Sequence, residues 1–242
     1  MRNAPAGATP TTGPRPKASR RGVHDALLLG LTLVAALTDG ISYLGLDRVF
    51  PANMTGNTVL LGLGVASQDL PAAARSATAL GAFLTGAALA ATLHRRPGWA
   101  RSSVGLLIGE IAALAALGGW WLALGQPSGA AEYGLIGLAS VSMGAQSGLV
   151  SRLDVPGVST TYITGTWTAV IIALVDRMRH HRGPGRQGRS RHGVQLLVAL
   201  GYLVGAVIGG FGYRAWHGVA TAIPLLVLTI VTAATAVLTR CR

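Results

Sequence analysis

The chain has 242 residues, of which 50% are hydrophobic and only 12% are charged. A soluble domain of this composition would have too little polar surface, so we predict an integral membrane protein. The formal net charge of +12 would suit nucleic acid on a folded basic face, but the Lys and Arg residues lie almost entirely between apolar runs, and we expect no nucleic-acid partner. The single cysteine, Cys241, excludes an internal disulfide framework and a multi-cysteine metal site.

Residues 1–24 are rich in Pro, Ala, Thr and basic residues and show no hydrophobic periodicity, which predicts a disordered basic cytoplasmic tail. A cleaved signal peptide is the alternative. It is disfavoured because the first apolar run begins late, near Ala26, and is as long as a membrane span. Residues 25–242 then form a single membrane domain.

Six apolar stretches approach or exceed the length of about 20 residues that a helix needs to cross a bilayer. They are residues 26–46, 76–93, 103–124, 132–150, 193–213 and 218–239. Tryptophans near the ends of these stretches are interpreted as interfacial anchors, namely Trp99, Trp120, Trp121 and Trp216. Glycines spaced four apart predict close helix packing, at Gly105 and Gly109, at Gly144 and Gly148, and at Gly201, Gly205 and Gly209. The pattern predicts an all-α polytopic membrane helix bundle.

Two shorter apolar segments, residues 53–66 and 160–175, begin with or contain a polar phrase centred on Thr-Gly. The phrases read Ala52-Asn53-Met54-Thr55-Gly56-Asn57-Thr58 and Thr160-Thr161-Tyr162-Ile163-Thr164-Gly165-Thr166-Trp167-Thr168. Lipid cannot hydrogen-bond amides or hydroxyls, so at membrane depth such groups must face protein or a wet cavity. Both segments are therefore candidates for a functional site, as re-entrant segments or half-helices.

The basic residues distinguish a six-span from an eight-span arrangement, because cytoplasmic loops hold most Lys and Arg. If both short segments cross, 14 of the 20 basic residues lie inside and 6 outside; if neither crosses, 17 lie inside and 3 outside. We therefore predict six full spans, two short Thr-Gly segments and cytoplasmic N- and C-termini. The basic cytoplasmic loop at residues 177–192 is expected to touch anionic lipid headgroups.

Short similarities suggest an internal duplication. Asp39 precedes Thr55-Gly56 as Gln146 precedes Thr164-Gly165, and Ala79-Leu80-Gly81 is matched by Ala199-Leu200-Gly201. Halves at about 26–125 and 131–239 would each hold three spans and one short segment. Because three crossings are an odd number, the halves would be inverted repeats. Chance likeness between helices rich in Ala, Gly and Leu is the alternative.

Asp39 lies within the first predicted span, where a carboxylate costs about 2.5–3.5 kcal/mol on insertion scales. Helical spacing puts it on one face with Thr32, Ser42 and Tyr43, so it should look into the bundle. It is then either kept protonated or hydrogen-bonded near the tip of the first Thr-Gly segment. A purely structural alternative is an aspartate that caps a helix broken at Gly40.

The polar groups of the two phrases are further candidates, because half-helix ends near the middle of a membrane can hold ions. With Asp39, the predicted substrate- or ion-binding residues are Tyr43, Asn53, Thr55, Asn57, Gln146, Thr161, Tyr162, Thr164 and Thr166. Alternatively, Thr-Gly serves tight helix packing alone. Glu110, with almost nothing polar beside it in the third span, is a candidate proton relay or a structural hydrogen-bond partner of another helix.

Four motifs resemble the YoaK family of uncharacterised bacterial membrane proteins. They are Asp39-Gly40-Ile41-Ser42-Tyr43-Leu44, Val49-Phe50-Pro51-Ala52-Asn53-Met54-Thr55-Gly56-Asn57, Met143-Gly144-Ala145-Gln146 and Thr160-Thr161-Tyr162-Ile163-Thr164-Gly165-Thr166. The resemblance covers roughly residues 26–239. It implies a multi-pass protein of the bacterial cytoplasmic (inner) membrane and carries over no substrate or catalytic residue. Asp39-Gly40 stands where the family usually has Asp-Ala, and Gln146-Ser147 where it has Gln-Asn.

We predict a small-solute or ion transporter or channel-like protein, with a site between the two Thr-Gly segments. The alternative is a non-transporting membrane scaffold, or an enzyme that acts on a lipid-soluble substrate. We expect no catalytic residue, metal or cofactor, because no Walker-type loop, zinc-protease helix or Gly-x-Ser-x-Gly elbow is present. The expected partners are the lipid bilayer and an unknown small solute, and an oligomer stays open.

Overall fold

The structure, a computed structural model, describes residues 18–93, 99–151 and 186–240, together with four separate positions at 168, 171, 172 and 175. The regular structure in these residues is helical, which confirms the all-α class. The helices are α1 (Ala18–Gly45), α2 (Met54–Ala66), α3 (Leu70–Leu93), α4 (Trp99–Leu124), α5 (Ala130–Val150), α6 (Arg186–Trp216) and α7 (Ala222–Arg240), with a 3₁₀ helix (His217–Thr221) before α7.

Four helical stretches of the described chain are long and apolar enough to cross a membrane. They are Asp25–Gly45, Leu70–Leu93, Val104–Leu124 and Gly193–Val237. The last has 45 residues and contains most of α6 and α7, joined by the 3₁₀ helix. α5, predicted as a span, is not among the four, and its polar side chains include Glu132, Ser140, Ser142 and Gln146. α2, with 13 residues, is shorter than a span.

Two helix boundaries differ from the sequence-based expectation. α1 runs unbroken past Gly40, so the suggestion of a helix broken there is wrong. Gly40 instead allows α6 to come close, because a Cβ at this position would lie 2.6 Å from the carbonyl oxygen of Ala206. α3 begins six residues earlier than residue 76, because the Asp69 side chain accepts a hydrogen bond from the backbone N–H of Ala72 at 3.1 Å.

α1 and α5 form the interior of the bundle, and each is covered by other helices. α6 and α7 pack against α1, whereas α3 and α4 pack against α5. α1 also contacts α5, α4 contacts α7, and α2 packs on α3. Among the described helices, α1 and α5 accordingly carry the two largest sets of buried side chains.

Three helices finish at the same end of the bundle. Gly45, the last residue of α1, faces Trp121 near the end of α4 and Tyr213 near the end of α6. α1, α4 and α6 therefore run in one direction. We call the place where they finish the Trp121 end. Trp121 itself is 1% exposed, so its interpretation as an interfacial anchor is wrong.

α5 and α7 run in the opposite direction, away from the Trp121 end. Gly134, in the second turn of α5, faces Trp120. Thr221, which directly precedes α7, faces Gly118 of α4. Both helices therefore start at the Trp121 end.

α3 also starts at the Trp121 end, because Arg75 in its second turn forms an ion pair with Asp47, which follows α1. At the opposite end, α7 has returned toward the start of α1, where Gly30 faces Val231. We call this opposite end the terminal end, since α1 begins and α7 finishes there.

Candidate functional site

Asp39 joins three parts of the chain inside the bundle. It is 2% exposed. Its Oδ1 accepts a hydrogen bond from the backbone N–H of Ala52 at 2.7 Å, in the loop before α2. Its Oδ2 accepts the hydroxyl hydrogen bond of Tyr202 on α6. Both carboxyl oxygens of Asp39 are thus engaged with protein donors.

The loop that Asp39 holds is shaped by two asparagines. Asn57 is 0% exposed; its Nδ2 donates to the carbonyl of Phe50 at 2.5 Å, and its Oδ1 accepts from the N–H of Phe50 at 3.1 Å. Asn53 is the N-cap of α2, because its Oδ1 accepts from the N–H of Gly56 at 3.1 Å. Asn53 thus satisfies a backbone N–H that the start of α2 leaves without a partner, and Asn57 satisfies both backbone groups of Phe50 in the loop.

The segment between α1 and α3 leaves and returns at the same end of the bundle. α1 reaches the Trp121 end at Gly45, but Ala52 lies beside Asp39, six residues back along α1, or about 9 Å at 1.5 Å per residue. α2 then runs outward, and Gly64 near its end faces Ala73 near the start of α3. α2 is therefore a short helix that starts beside Asp39 and runs back toward the Trp121 end.

Two residues of the predicted site lie away from this contact. Tyr43, one turn after Asp39, is 36% exposed and stacks on Phe50 with 4.8 Å between ring centroids. Thr55 is exposed in the first turn of α2. The expectation that Tyr43 shares the inward face of Asp39 is wrong, because the Tyr43 ring covers the loop from outside.

Gln146, the positional counterpart of Asp39, is buried but lies in another part of the interior. Its Nε2 donates to the carbonyl oxygen of Leu31 on α1 at 2.9 Å. Leu31 precedes Asp39 by eight residues, which is about 12 Å along the helix. The structure therefore does not bring Gln146 to Asp39.

The second Thr-Gly phrase falls almost entirely outside the described residues. Thr161, Tyr162, Thr164 and Thr166 all lie there, and Thr168 is the one member of the phrase that is described, as an exposed residue. A site shared between the two phrases therefore stays a prediction.

Glu110 is buried on the inward face of α4. It shares this face with three large buried side chains, Leu114, Leu117 and Trp121. Its Oε1 has no hydrogen-bond partner within residues 18–93, 99–151 and 186–240. A buried carboxyl oxygen without a donor requires a proton or a ligand, so the candidate role of Glu110 as a proton relay stays open.

Charged side chains at the Trp121 end link α3 to its neighbours. Arg75 pairs with Asp47 and lies 3.9 Å from a carboxyl oxygen of Glu132 at the start of α5. Among the residues that the structure describes, no group of three or more His, Cys, Asp or Glu could hold a metal ion. The cluster at Arg75 is therefore an ion-pair network between helices.

A protein-family comparison matches most of the chain. The family model described as "Protein of unknown function (DUF1275)" matches residues 27–234. The chain belongs to the DUF1275 family. It is also 30% identical over 191 residues to the UPF0700 transmembrane protein YoaK of Bacillus subtilis (strain 168), which covers 76% of this chain and 82% of that protein. No solved structure matches the chain.

Family membership confirms the resemblance that the four sequence motifs indicated, and the apolar helices agree with a transmembrane relative. This DUF1275 protein is accordingly a membrane protein. Asp39, Asn53 and Asn57 lie in two of those motifs and meet in space around the start of α2.

Tyr202, which donates to Asp39 in this DUF1275 protein, was not among the site residues predicted from the sequence. Tyr202 directly follows Ala199-Leu200-Gly201, the triplet used to argue for internal duplication. A tyrosine inside an otherwise apolar helix usually needs a hydrogen-bond partner when buried. That requirement was the available signal, although it could not name Asp39 as the partner.

Proposed function

We propose that this DUF1275 protein is a small-solute or ion transporter or channel-like protein, with its site around Asp39 and the start of α2. One observation carries the proposal: a buried carboxylate in an apolar helix meets the inner end of a half-helix. Carboxylates within membrane helices commonly mark ion or substrate pathways. Half-helices that meet inside a membrane form the substrate and ion sites of many transporters.

The helix packing supports inverted repeats as part of the proposal. If α1, α3 and α4 are exchanged with α5, α6 and α7, the packing of α6 on α1 corresponds to that of α3 on α5. In the same exchange, the packing of α7 on α1 corresponds to the packing of α4 on α5. The contact between α1 and α5 and the contact between α4 and α7 are each unchanged by the exchange. Asp39 and Gln146 then occupy equivalent places near opposite ends of the bundle.

The helix directions support six spans with both Thr-Gly segments re-entrant. The first segment starts and finishes at the Trp121 end. α5 finishes and α6 starts at the terminal end. In this proposal, the segment between them, which contains Thr161, Tyr162, Thr164 and Thr166, is re-entrant from that end. We infer that the two phrases approach the middle of the membrane from opposite faces.

The distribution of the basic residues supports a cytoplasmic location for the terminal end. With six spans, three basic residues fall at the Trp121 end, namely Arg48, Arg75 and Arg214, and the other 17 of the 20 fall at the terminal end. By the positive-inside rule, the terminal end faces the cytoplasm of a bacterial inner membrane. Its basic loops would there meet anionic lipid headgroups.

A transport step at this site would work through competition for the oxygens of Asp39. These oxygens accept from the Tyr202 hydroxyl and the Ala52 amide. A cation or proton that reaches Asp39 competes with both donors. Ligand binding would therefore loosen the link between α1, α6 and the start of α2, which couples the site to movement of the half-helix.

The first test of this proposal is the substitution Asp39→Asn in purified protein reconstituted into liposomes. The amide oxygen can still accept from Ala52 and the amide nitrogen can donate to Tyr202, so the fold should be retained while the charge is lost. We expect flux of H⁺, Na⁺ or K⁺, followed with internal fluorescent indicators, to fall at least about tenfold. Such a loss corresponds to about 1.4 kcal/mol in the barrier.

The matched control for this experiment is Asp69→Asn, which removes an exposed carboxylate in the turn between α2 and α3. Its flux should equal that of the wild type. If Asp39→Asn protein carries the wild-type flux, Asp39 has no part in the mechanism.

A non-transporting scaffold is the second candidate, and a specific observation favours it. The side chains of Asp39, Asn53 and Asn57 are all engaged in holding the loop before α2. If packing is their whole role, wild-type liposomes will show no flux above protein-free liposomes, and Asp39→Asn will change only the thermal stability. An enzyme on a lipid-soluble substrate would likewise show no flux.

A further inference from the structure

Two pairs of helices cross in the same way in the two halves of the chain. α6 crosses α1 where Gly40 faces the carbonyl oxygen of Ala206, and a Cβ on Gly40 would lie 2.6 Å from that oxygen. α3 crosses α5 where Gly148 faces the carbonyl oxygen of Ala87, and a Cβ on Gly148 would lie 3.2 Å from it. Each crossing thus places a glycine of an inner helix against the backbone of an outer helix.

A second glycine at each crossing makes the reverse contact, from the outer helix to the inner one. Gly205 of α6 faces the carbonyl oxygen of Leu33 on α1. Gly86 of α3 faces the carbonyl oxygen of Val141 on α5. Both crossings therefore have a glycine on each of the two helices, and each glycine faces a carbonyl of the other helix.

The contact residues have the same spacing along the chain in both crossings. On the outer helices, the glycine of the second contact directly precedes the alanine of the first, in Gly205-Ala206 and in Gly86-Ala87. On the inner helices, the two contact residues are the ends of equally long stretches, residues 33–40 and residues 141–148. One residue-by-residue match of α1 with α5 and of α6 with α3 therefore reproduces both contacts.

The burial of side chains follows the same match. On the outer helices, buried Ala79 and Ala90 correspond to buried Val198 and Gly209. On the inner helices, the polar residues that the match pairs are also buried on both sides, namely Thr32 with Ser140 and Thr38 with Gln146. The two crossings are thus equivalent in exposure as well as in backbone contact.

This match refines the correspondence between the halves by one residue. By sequence position, Gln146 falls near the place of Asp39, but the contacts pair Gln146 with Thr38. The residue equivalent to Asp39 is Ser147. Each of these two residues directly precedes the inner-helix glycine of its crossing.

The partner of Asp39 has an equivalent too. Tyr202 lies three residues before Gly205 on α6, and Phe83 lies three residues before Gly86 on α3. Both rings are partly buried and pack against the hydrophobic core. Phenylalanine lacks the hydroxyl through which Tyr202 donates to Asp39. The second crossing therefore has a serine and a ring without a donor where the first has a carboxylate and a hydroxyl.

We propose that Ser147 and Phe83 are the second half's counterparts of Asp39 and Tyr202, and that only the first of two equivalent crossings carries a charge. The functional consequence rests on the proposed transport role. A proton or cation that acts at these crossings has one carboxylate to compete for, at the crossing of α1 and α6. The crossing of α3 and α5 holds the second half of an inverted repeat without responding to charge.

Grafting the charged pair onto the second crossing tests this equivalence. Ser147→Asp alone adds a carboxylate opposite Phe83, a ring that donates no hydrogen bond. The midpoint of thermal unfolding in detergent should therefore fall by about 3–6 °C. Adding Phe83→Tyr supplies the donor and should recover at least about half of that fall. The proposal is overturned if the tyrosine recovers nothing, or if Ser147→Asp leaves the midpoint unchanged.

Leu84→Tyr is the matched control for the recovery. Leu84 is the next residue of α3 and is 66% exposed. A tyrosine at this position should recover none of the stability that Ser147→Asp loses. Equal recovery by the tyrosines at positions 83 and 84 would show a general effect of the ring or hydroxyl and would contradict the proposal.

The reverse exchange keeps the test decisive if the Ser147→Asp protein does not fold. Asp39→Ser with Tyr202→Phe gives the first crossing the residues of the second. Tyr202→Phe should lower the unfolding midpoint of the wild type, because it removes a donor from the buried carboxylate. In the Asp39→Ser background it should raise the midpoint, because it removes a hydroxyl that the shorter serine leaves without a partner. A fall in both backgrounds would overturn the proposal.

These measurements separate the equivalence of the crossings from the transport role. If Phe83→Tyr recovers stability while wild-type liposomes show no flux, the equivalence stands and the transport role fails. If Asp39→Asn abolishes flux while Phe83→Tyr recovers nothing, the transport role stands and the equivalence fails.

Discussion

At the scale of single residues, the fold around the start of α2 depends on how Asp39 is satisfied. The carboxylate lies where no bulk water reaches, so its charge or its hydrogen-bonding capacity must be matched by protein donors. Tyr202 and Ala52 supply two of them, from α6 and from the loop before α2. A single side chain therefore holds three sequence-distant segments together.

Removing the Tyr202 hydroxyl should destabilise the protein. We expect Tyr202→Phe to cost about 1.5–3 kcal/mol, the usual range for a hydrogen bond to a charged group. For a chain of this size, that corresponds to a fall in the unfolding midpoint of roughly 2–4 °C per kcal/mol, measured from tryptophan fluorescence in detergent.

Tyr43→Phe is the control for this change, since Tyr43 is one turn from Asp39 but partly exposed and packed against Phe50 through its ring. Its midpoint should stay within about 2 °C of the wild type, because a surface substitution rarely changes stability by more than ~0.5 kcal/mol. Equal effects of the two phenylalanines would contradict the role of Tyr202 as a donor to Asp39.

At the scale of helices, the spacing of glycines predicted close helix packing correctly at some of the glycines and not at others. Gly144 and Gly148 face α3 directly, and Gly205 and Gly209 face α1. At Gly105, Gly109 and Gly201, no atom of another described element lies within 4 Å of the place of a Cβ. Spacing of four residues indicates a face, but only the positions of the helices decide whether that face meets a neighbour.

Replacing two different glycines of α5 by alanine should therefore change the stability of the protein in opposite directions. Gly144→Ala would drive a methyl group into the backbone carbonyl of Phe83 and push α3 from α5. We expect a loss of about 1–3 kcal/mol in the free energy of unfolding, as for other over-packed interiors. Thermal unfolding in detergent measures the change.

Gly137→Ala, two turns earlier in α5, is the companion variant. No neighbouring atom of the part of the chain that the structure describes lies within 4 Å of its added Cβ, so the higher helix propensity of alanine should raise stability by up to about 1 kcal/mol. Two variants that shift the unfolding midpoint in the same direction would be inconsistent with the close α3–α5 contact.

At the scale of the whole molecule, the directions of the helices determine which ends the loops share. α1, α4 and α6 run toward the Trp121 end, and α3, α5 and α7 run away from it. The proposed orientation then has the termini and the basic loops in the cytoplasm, because Lys and Arg are retained on that side.

Cysteine labelling tests the proposed topology. In a Cys241→Ser background, the single cysteines Arg95→Cys and Gly183→Cys should react with a membrane-impermeant maleimide only after the cells are permeabilised. Ser67→Cys, in the exposed turn between α2 and α3, should react in intact cells. External labelling at position 95 would instead require that α2 crosses the membrane, and the six-span arrangement would then be abandoned.

Much of the fold could be predicted from the sequence because membrane helices follow local rules. Long apolar runs indicated the helices, and the lone Asp39 in such a run indicated an inward position. α5 was predicted as a span, but it is not among the four helices that are long and apolar enough to cross a membrane. Its polar residues Ser140, Ser142 and Gln146 are buried in the interior of the bundle. Trp121 was misassigned because closeness to a helix end does not reveal whether the ring meets lipid or protein.

The candidate site was less predictable, because its partners come from elements distant in sequence. Asn53, Thr55 and Asn57 belong to one phrase of the sequence. In the structure, Thr55 is exposed and Asn57 is buried, and this difference depends on which face of α2 meets the rest of the bundle. Gln146 was identified as the positional counterpart of Asp39, but the sequence did not reveal that its side-chain amide donates to the carbonyl of Leu31 on α1.

By itself, the sequence determined the membrane class, the family and the helical segments, since these depend on composition and on residues that are neighbours in the chain. Only the tertiary structure decided that Tyr202 and Ala52 donate to Asp39 and that α2 starts beside it. The physical reason is that buried polar groups must find donors and acceptors in space. Which groups meet depends on how helices from both halves of the chain pack around α1.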